Sequence, residues 1–279
     1  ERGTHLSISL ERLQELTGKK IIRIGLSATL GNVNTGLQLL SGEAYKSTVV
    51  LDHTKKEYDI SNKYIKGDLF KVARFILKRM KESSKSTLLF TNTRVEAEAL
   101  GSILKAKEPE FPIEIHHGSL SREAREEAET RLRSGQPILV VCTSSLELGL
   151  DIGSIDNVMQ FGSPRQAIKL IQRMGRSKHR TGEISTGIIL TNRLDDELES
   201  LALTDRVDQK DLEEINIHEN SLDVLCHQIT GMLMENGIME LDKIIKIATR
   251  SYPFRNTQKD EIIETINLLN NQGIVRFDG

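Results

Sequence analysis

Residues 139–180 read LVVCTSSLELGLDIGSIDNVMQFGSPRQAIKLIQRMGRSKHR, the most informative segment of the chain. An apolar run from Ile138 to Cys142 stops at three small hydroxyl residues that begin at Thr143. The pattern predicts a buried parallel strand whose carboxyl end lies at an open sheet edge, where α/β folds place their ligand sites. Hydroxyl and backbone N–H donors at such an edge suit the oxygens of a phosphate.

The second half of the stretch is basic. No carboxylate occurs between Asn157 and Gly182. Within this window an apolar stripe at helical spacing lies opposite a row of cations, which predicts a helix with one cationic face. The stripe is Ile168, Ile171 and Met174, and the cations are Arg165, Lys169, Arg173, Arg176 and Arg180.

Strand and helix patterns alternate from Gly67 to about Asp205. The strands are predicted at 86–91, 113–116, 138–143, 157–161 and 185–190, with helices between them. This alternation predicts a parallel sheet joined by right-handed crossovers. Helical patterns at 222–235, 241–249 and 257–271 follow, and a short strand is predicted at 274–277. Before Gly67, the spacing of Leu6, Leu10 and Leu13 predicts a helix, and an apolar run predicts a strand at 21–26.

Several segments resemble the motifs of superfamily 2 helicases, and in particular the large helicase-related (Lhr) branch. Residues 143–151 and 172–180 resemble motifs V and VI of that superfamily. Ser27-Ala28-Thr29 resembles motif III, and the LLFTNTR segment at 88–94 resembles motif IV. The segment LDVLCHQITGMLMENG at 222–237 is similar to the start of the winged-helix domain that follows the Lhr motor. These matches occur in the family's order over nearly the whole chain.

The resemblance implies a three-part organisation. Residues 1–50 would be the end of a first RecA-like domain, 51–205 the second RecA-like domain, and 206–279 a winged-helix-like domain with an incomplete wing. The cofactor would be ATP with Mg²⁺. Aligned with the family, the chain begins just after the acidic motif, so the phosphate loop and the metal-binding carboxylates would lie outside it. The chain by itself is therefore expected to hydrolyse no ATP.

The resemblance also implies which residues act on ATP. Arg176, with Gln172 and Gly175 beside it, would reach the γ-phosphate as an arginine finger. Gly149 and Asp151 would contact the nucleotide, Asp151 through a ribose hydroxyl. The second finger is open between Arg180, which stands one residue late for the family's spacing, and His179, which keeps that spacing.

The predicted sheet edge gathers candidate contacts to a nucleic-acid strand. The residues expected to meet its phosphates are Thr91, Arg94, His117, Thr143 and Ser144. For His117 and for the neighbouring Ser119, a purely structural role is an equally open alternative. Two roles are open for Glu147, which either orders its loop or contacts the strand. By resemblance, Ser27 and Thr29 would couple the two motor domains.

Composition limits the remaining possibilities. The net charge of −2 argues against a protein that coats nucleic acid, and confines binding to a local surface. Aromatic residues make up 4% of the chain and tryptophan is absent, so stacking platforms are scarce and little sequence preference is expected. Two cysteines give neither a disulfide framework nor a metal-ligand spacing, and no metal site is predicted in the chain itself. No segment is suited to cross a membrane, and a cytoplasmic monomer is expected.

The expected function is the C-terminal part of an ATP-dependent DNA helicase or translocase that grips a single strand or a partly duplex DNA. The missing first RecA-like domain would be its partner in the motor. Two alternatives are open. One is a scaffold that binds nucleic acid with a helicase fold but does not hydrolyse ATP. The other is a relative that acts on RNA, because contacts to the 2′-hydroxyl are not visible in the sequence.

Overall fold

The computed structural model describes residues 1–27, 31–42, 46–51, 57–83, 86–147, 155–177, 184–214 and 216–278. The chain divides into two compact units. One unit spans residues 52–213, and the other combines residues 1–51 with residues 214–279. The N-terminal segment therefore packs with the C-terminal helices and not as a separate body.

The unit at 52–213 is built on a parallel sheet, as predicted. Within its described residues the sheet has six strands in the order β1-β6-β5-β2-β4-β3. The strands are β1 (Tyr58–Tyr64), β2 (Thr87–Phe90), β3 (Ile113–His116), β4 (Leu139–Cys142), β5 (Asn157–Phe161) and β6 (Ser185–Thr191). The predicted strands match β2 to β6 to within one or two residues.

Helices cover both faces of this sheet. They are α3 (Leu69–Ser83), α4 (Arg94–Lys107), α5 (Arg122–Arg133), α6 (Ala167–Met174) and α7 (Leu194–Gln209). Alternate residues of the central strands point to opposite faces, so Leu89 packs in the core with α3 and α4, whereas Leu88 and Phe90 pack in the core with α5, α6 and α7. The central strands β2 and β4 are buried on both faces, which explains why they read as continuous apolar runs.

Strand β1 was not predicted from the sequence. Its residues, YDISNKY, are mostly polar, and half-buried positions alternate with exposed ones along it. The strand lies at the edge of the sheet and pairs with β6 from Tyr58 opposite Ser185 to Tyr64 opposite Thr191. An edge strand buries only part of its surface, so it does not need the apolar run that marks a central strand.

The other unit is helical. Its helices are α1 (Arg2–Thr17), α2 (Val33–Ser41), α8 (Leu222–Asn236), α9 (Leu241–Arg250) and α10 (Lys259–Asn271), with a short 3₁₀ turn at Tyr252–Phe254. One apolar core joins Ile8 of α1 to residues of α8, α9 and α10. The predicted helices at 222–235, 241–249 and 257–271 are confirmed to within two residues.

Three details of this unit differ from the predictions. The described residues 21–27 and 274–277 form no strand. Two of the three leucines that predicted α1 do not lie on its buried face, because Leu6 and Leu13 are 55% and 46% exposed while Ile8 is fully buried. Helix α10 begins after Gln258, which forms a capping box with Glu261, two residues inside the predicted start.

No helix in the described ranges is both long enough and apolar enough to cross a membrane.

Candidate functional site at the carboxyl edge of the sheet

The strand order brings three of the predicted segments together. Strand β4 lies between β2 and β3, so the residues that follow these strands are neighbours at the carboxyl edge. The Thr91 N–H donates to the Cys142 carbonyl at 2.7 Å, and the Thr143 N–H donates to the His116 carbonyl at 3.2 Å. The predicted row of polar residues along this edge therefore exists.

Arg94 and Ser144 are the exposed members of the row, and Thr143 is half-buried. Arg94 opens helix α4, whose first turn is fixed by a capping box between Thr93 and Glu96. Its Nη1 donates to the Ser119 hydroxyl at 3.3 Å, which ties the segments after β2 and β3 to each other. These side chains are at the surface, where a phosphate can approach them.

Thr91 is different from its neighbours because it is fully buried. Its hydroxyl donates to the carbonyls of Thr93, at 3.0 Å, and Cys142, at 3.4 Å. In this conformation the hydroxyl holds the end of β2 against β4 and does not reach the surface. In this conformation the Thr91 side chain therefore cannot make the phosphate contact that was predicted for it.

His117 is also buried, with 5% of its surface exposed. Its Nδ1 accepts from the Ser119 N–H at 3.3 Å, so the proton lies on Nε2, which is 2.8 Å from Glu98 Oε1. The imidazole therefore orders the 117–119 turn in this conformation. His116 is buried beside Ser145 and Glu129, and burial lowers the pKa of its ring.

A buried ion pair lies beneath the segment that follows β4. Arg173 Nε is 3.0 Å from Glu147 Oε2, and the two side chains are 4% and 8% exposed. Arg173 Nη1 also donates to Gln160 Oε1 at 2.6 Å and to Asn92 Oδ1 at 3.2 Å. The guanidinium carbon lies 5.5 Å from the centroid of the Phe90 ring. Glu147 therefore orders its loop, which is one of the two roles left open by the sequence.

The acceptors of Arg173 are themselves held in place. Gln160 donates from Nε2 to the carbonyls of Phe161, at 2.7 Å, and Gly162, at 3.1 Å. Asn92 donates from Nδ2 to the Ser163 carbonyl at 2.7 Å. A buried charge needs hydrogen-bond partners, and this network supplies acceptors for three of the five N–H groups of Arg173.

The cationic helix face predicted for α6 is wrong. Arg173 points into the core and not to solvent. Arg165 precedes the helix and forms ion pairs with Asp196, at 2.8 Å, and with Glu199. Arg165 and Arg173 are thus committed to partners within the protein, because burial and neighbouring carboxylates override the helical spacing.

Arg176 follows α6 and is held by the same loop. Its Nε and Nη2 donate to the Glu147 carbonyl at 3.2 and 2.8 Å. Burial lowers the pKa of this half-buried guanidinium, and Glu147 opposes the shift. The group nevertheless stays charged at neutral pH. One residue, Glu147, therefore fixes Arg173 through its carboxylate and Arg176 through its carbonyl.

The start of α6 is fixed by a carboxylate that is distant in sequence. Glu213 accepts from the N–H groups of Ala167 at 2.7 Å and Ile168 at 3.0 Å. Burial by itself would raise the pKa of Glu213, but these hydrogen bonds outweigh it and lower the pKa. The other face of α6 is set by a close approach to β6, since a Cβ at Gly187 would lie 1.9 Å from Met174 Sδ.

The structure describes only two of the remaining predicted residues. Gln172 is half-buried on α6, and Ser27 is exposed. Gly149, Asp151, His179, Arg180 and Thr29 lie outside the described residues. Within the described part of the chain, no group of three His, Cys, Asp or Glu side chains is arranged to hold a metal ion.

Sequence reasoning missed the network of Asn92, Glu147, Gln160 and Arg173. Its members stand after β2, after β4, on β5 and on α6. The sequence singled out two of the four residues: Glu147, for which a loop-ordering role was open, and Arg173, which the helical spacing had assigned to the surface.

Comparison with known proteins finds a family model, relatives and a solved structure that are similar to this chain, and all of them are of helicases. Residues 68–182 match the family model described as Helicase conserved C-terminal domain. The chain is 38% identical over 284 residues to the ATP-dependent helicase Lhr-Core protein 2 of Thermococcus barophilus, covering 96% of this chain and 33% of that protein. It is 37% identical to the ATP-dependent helicase Lhr-Core of Methanocaldococcus jannaschii, covering 96% of this chain and 32% of that protein. The chain therefore spans about a third of the length of these relatives.

A solved structure is similar over the same extent. The structure of Mycobacterium smegmatis helicase Lhr bound to ssDNA and AMP-PNP aligns with a TM-score of 0.89 and 33% identity. The alignment covers 96% of this chain and 36% of that one.

Proposed function

Because this chain belongs to the Lhr (large helicase-related) family of superfamily 2 helicases and carries a helicase C-terminal domain at residues 68–182, we propose that it forms part of an ATP-dependent motor that moves along a nucleic-acid strand. In the intact protein, its sheet edge contacts the strand and its Arg176 segment serves ATP hydrolysis. The relative solved with single-stranded DNA and AMP-PNP supports these two ligand classes.

The observation that carries this proposal is the double role of Glu147. Its loop begins at Thr143 and Ser144, which are the strand-contact residues, and its own carbonyl holds Arg176 at 2.8 Å. A shift of the loop on strand binding would therefore move Arg176, and a shift of Arg176 on ATP binding would move the loop. Such a shared rigid element is what couples two sites in a motor.

Arg176 is proposed as the arginine finger. ATP supplies the transferred phosphoryl group, and a guanidinium stabilises the charge that develops on its oxygens. Gln172 lies one helical turn before Arg176 and is proposed to contact the nucleotide beside it. Gly149, Asp151 and either His179 or Arg180 remain proposed nucleotide contacts by resemblance. The described residues offer no ligand set for Mg²⁺, so no step of this chain is assigned to the metal.

The strand contacts are proposed for Arg94, Thr143 and Ser144, which line the carboxyl edge at the surface. Thr91 and His117 are proposed to shape this edge from below, because both side chains are buried and hydrogen-bonded. Contacts to phosphate rather than to base edges imply little sequence preference.

The test of the motor proposal is Arg176→Ala in the intact protein. We expect strand-stimulated ATP turnover to fall by about 10³-fold or more, by analogy with other arginine fingers, while strand affinity is nearly unchanged. The matched control is Arg131→Ala on the exposed face of α5, which should leave turnover intact. Turnover within a few-fold of the wild type for Arg176→Ala would show that this residue is not the finger.

Strand contact is tested separately. Ser144→Ala should weaken single-strand binding by about five-fold, because one hydrogen bond of ~1 kcal/mol is lost. Arg94→Gln should weaken it further and lower its salt dependence. Parallel titrations with deoxy and ribo strands decide between a DNA and an RNA substrate. Unchanged affinity in both variants would remove the strand from this edge and favour a different surface.

The segment at 21–27 is proposed to belong to the first RecA-like domain of the intact protein. It has no regular secondary structure, and it exposes the alternate residues Ile22, Ile24 and Leu26 by 85%, 78% and 94%. Exposed apolar side chains at alternate positions are typical of a strand that lacks its sheet. Its amides should exchange with deuterium rapidly in this chain and slowly in the intact protein. Equally rapid exchange in both would refute the assignment.

A further inference from the structure

A cationic groove lies between helices α3 and α4, away from the residues discussed so far. It has a volume of about 550 Å³ and is lined by Arg74, Leu77, Lys78, Lys81, Lys107 and Glu108. Both helices pack on one face of the sheet, whereas α6 and Arg173 pack on the other. The groove is thus built from residues that the sheet-edge site does not use.

The charges of the groove are not balanced. Four cations line it against one carboxylate, and that carboxylate, Glu108, pairs with Lys81. Within the described residues, neither Arg74 nor Lys78 takes part in an ion pair. Lys107 Nζ lies 5.8 Å from the centroid of the exposed Phe70 ring, which holds this cation at the groove. The chain as a whole carries a net charge of −2, so the positive charge here is a local concentration.

Helix stability does not account for all of these cations. Lys81 and Lys107 lie in the last turns of α3 and α4, where positive charge complements the helix dipole. Arg74 and Lys78 lie in the middle of α3. They stand four residues apart on one face, and like charges at this spacing repel and destabilise a helix. An anionic ligand would remove that repulsion.

We propose that the α3–α4 groove is a second binding site for the phosphodiester backbone of nucleic acid. Lysine and arginine side chains along a groove track a phosphate backbone without reading its sequence. The groove would hold a part of the strand or duplex that the sheet edge does not contact, and it would add to the affinity of the whole protein through a linked second contact.

The test is a pair of double variants of the 279-residue chain. Arg74→Gln/Lys78→Gln neutralises the groove, and Arg122→Gln/Arg131→Gln removes the same charge from exposed positions of α5 on the other face of the sheet. Affinity for labelled single-stranded and duplex oligonucleotides is measured from low to moderate salt. For the groove variant, the slope of log affinity against log salt should fall by about 1.4 with single strands or about 1.8 with duplex, as expected for two lost phosphate contacts. If the slope falls with only one kind of oligonucleotide, single-stranded or duplex, that kind is the ligand of the groove.

Lysine acetylation gives a second measurement that does not depend on the variants. Bound oligonucleotide should protect Lys78 and Lys107 from acetylation and leave the exposed Lys210 reactive. An unchanged slope in the groove variant, an equal fall in the α5 control, or no protection of Lys78 and Lys107 would each overturn the groove.

Arg94→Gln, measured in parallel, separates the two sites. A loss in this variant alone would keep the sheet edge and refute the groove. A loss of affinity in the groove variant alone would keep the groove and refute the strand contact at the sheet edge.

Discussion

Removal of the Glu147 carboxylate should destabilise the unit that contains the sheet. In Glu147→Gln the side chain keeps its size and one acceptor oxygen, but Arg173 loses the only opposite charge that contacts it within the described residues. The guanidinium is 4% exposed and cannot turn to solvent without opening the core. The variant therefore tests whether the buried pair holds the loop in place.

The magnitude follows from the burial of the pair. Removal of one partner from a buried ion pair costs about 3–5 kcal/mol, because the other charge stays desolvated and uncompensated. Gln160 and Asn92 still accept from Arg173 in the variant, at 2.6 and 3.2 Å, so we expect the lower end, about 3 kcal/mol. In a unit of this size that loss corresponds to a fall in melting temperature of about 6–12 °C.

The assay is hydrogen exchange of the amides at 139–147, combined with urea unfolding of the whole chain. Exchange of this segment reports the unit that contains the pair, even if the two units unfold separately. The control is Glu127→Gln, which breaks the exposed pair with Arg131 and should change stability by less than about 1 kcal/mol.

Arg173→Met and the double variant Glu147→Gln/Arg173→Met complete a cycle. The double variant should cost less than the sum of the single variants by more than about 1 kcal/mol, because it leaves no unpaired charge. If Glu147→Gln destabilised the chain no more than Glu127→Gln does, or if the effects of the two single variants simply added, the buried pair would not hold the loop.

Two further predictions concern elements that position this site, and a third concerns the helical unit. Glu213→Gln should lower the free energy of unfolding by about 0.5–1 kcal/mol at neutral pH, as for a lost helix cap. Because the folded state lowers the pKa of Glu213, this difference from wild type should persist above about pH 4.5 and shrink as the pH falls below that value. Urea titrations at several pH values measure it. Gly187→Ala should cost about 1–3 kcal/mol in thermal unfolding, since its Cβ would lie 1.9 Å from Met174 Sδ; adding Met174→Ala should recover part of the loss rather than add to it. Glu11→Gln should cost about 3 kcal/mol in the helical unit, because Glu11 is 1% exposed and pairs with Arg23 at 2.7 Å; a cost below 1 kcal/mol would contradict this.

The parallel sheet could be predicted because its signals are local. The apolar runs of β2 and β4 ended at small polar residues, and such an end is visible within ten residues of sequence. The cap of α5 is equally local, since the Ser121 side chain accepts from the Ala124 N–H three residues later. The edge strand β1 escaped prediction because a partly exposed strand needs no apolar run.

The buried faces of helices were predicted less well. Helical spacing identified α1, yet its core contact is Ile8 and not the leucines at positions 6 and 13. Spacing also placed Arg173 on a solvated face, whereas the structure buries it. The helical repeat of a sequence pattern indicates which residues share a face of the helix, but not whether that face contacts solvent or the protein core.

The sequence by itself therefore determined the α/β class, the family resemblance and the row of polar residues at the carboxyl edge. Only the tertiary structure decided which members of that row are exposed and what holds Arg176. The physical reason is the strand order. Strand β2 lies between β5 and β4 in the sheet but is next to neither of them in the sequence, and this arrangement brings Gln160, Asn92 and Glu147 around one guanidinium. No local sequence pattern predicts such a contact, because it forms only when these strands have paired in the sheet.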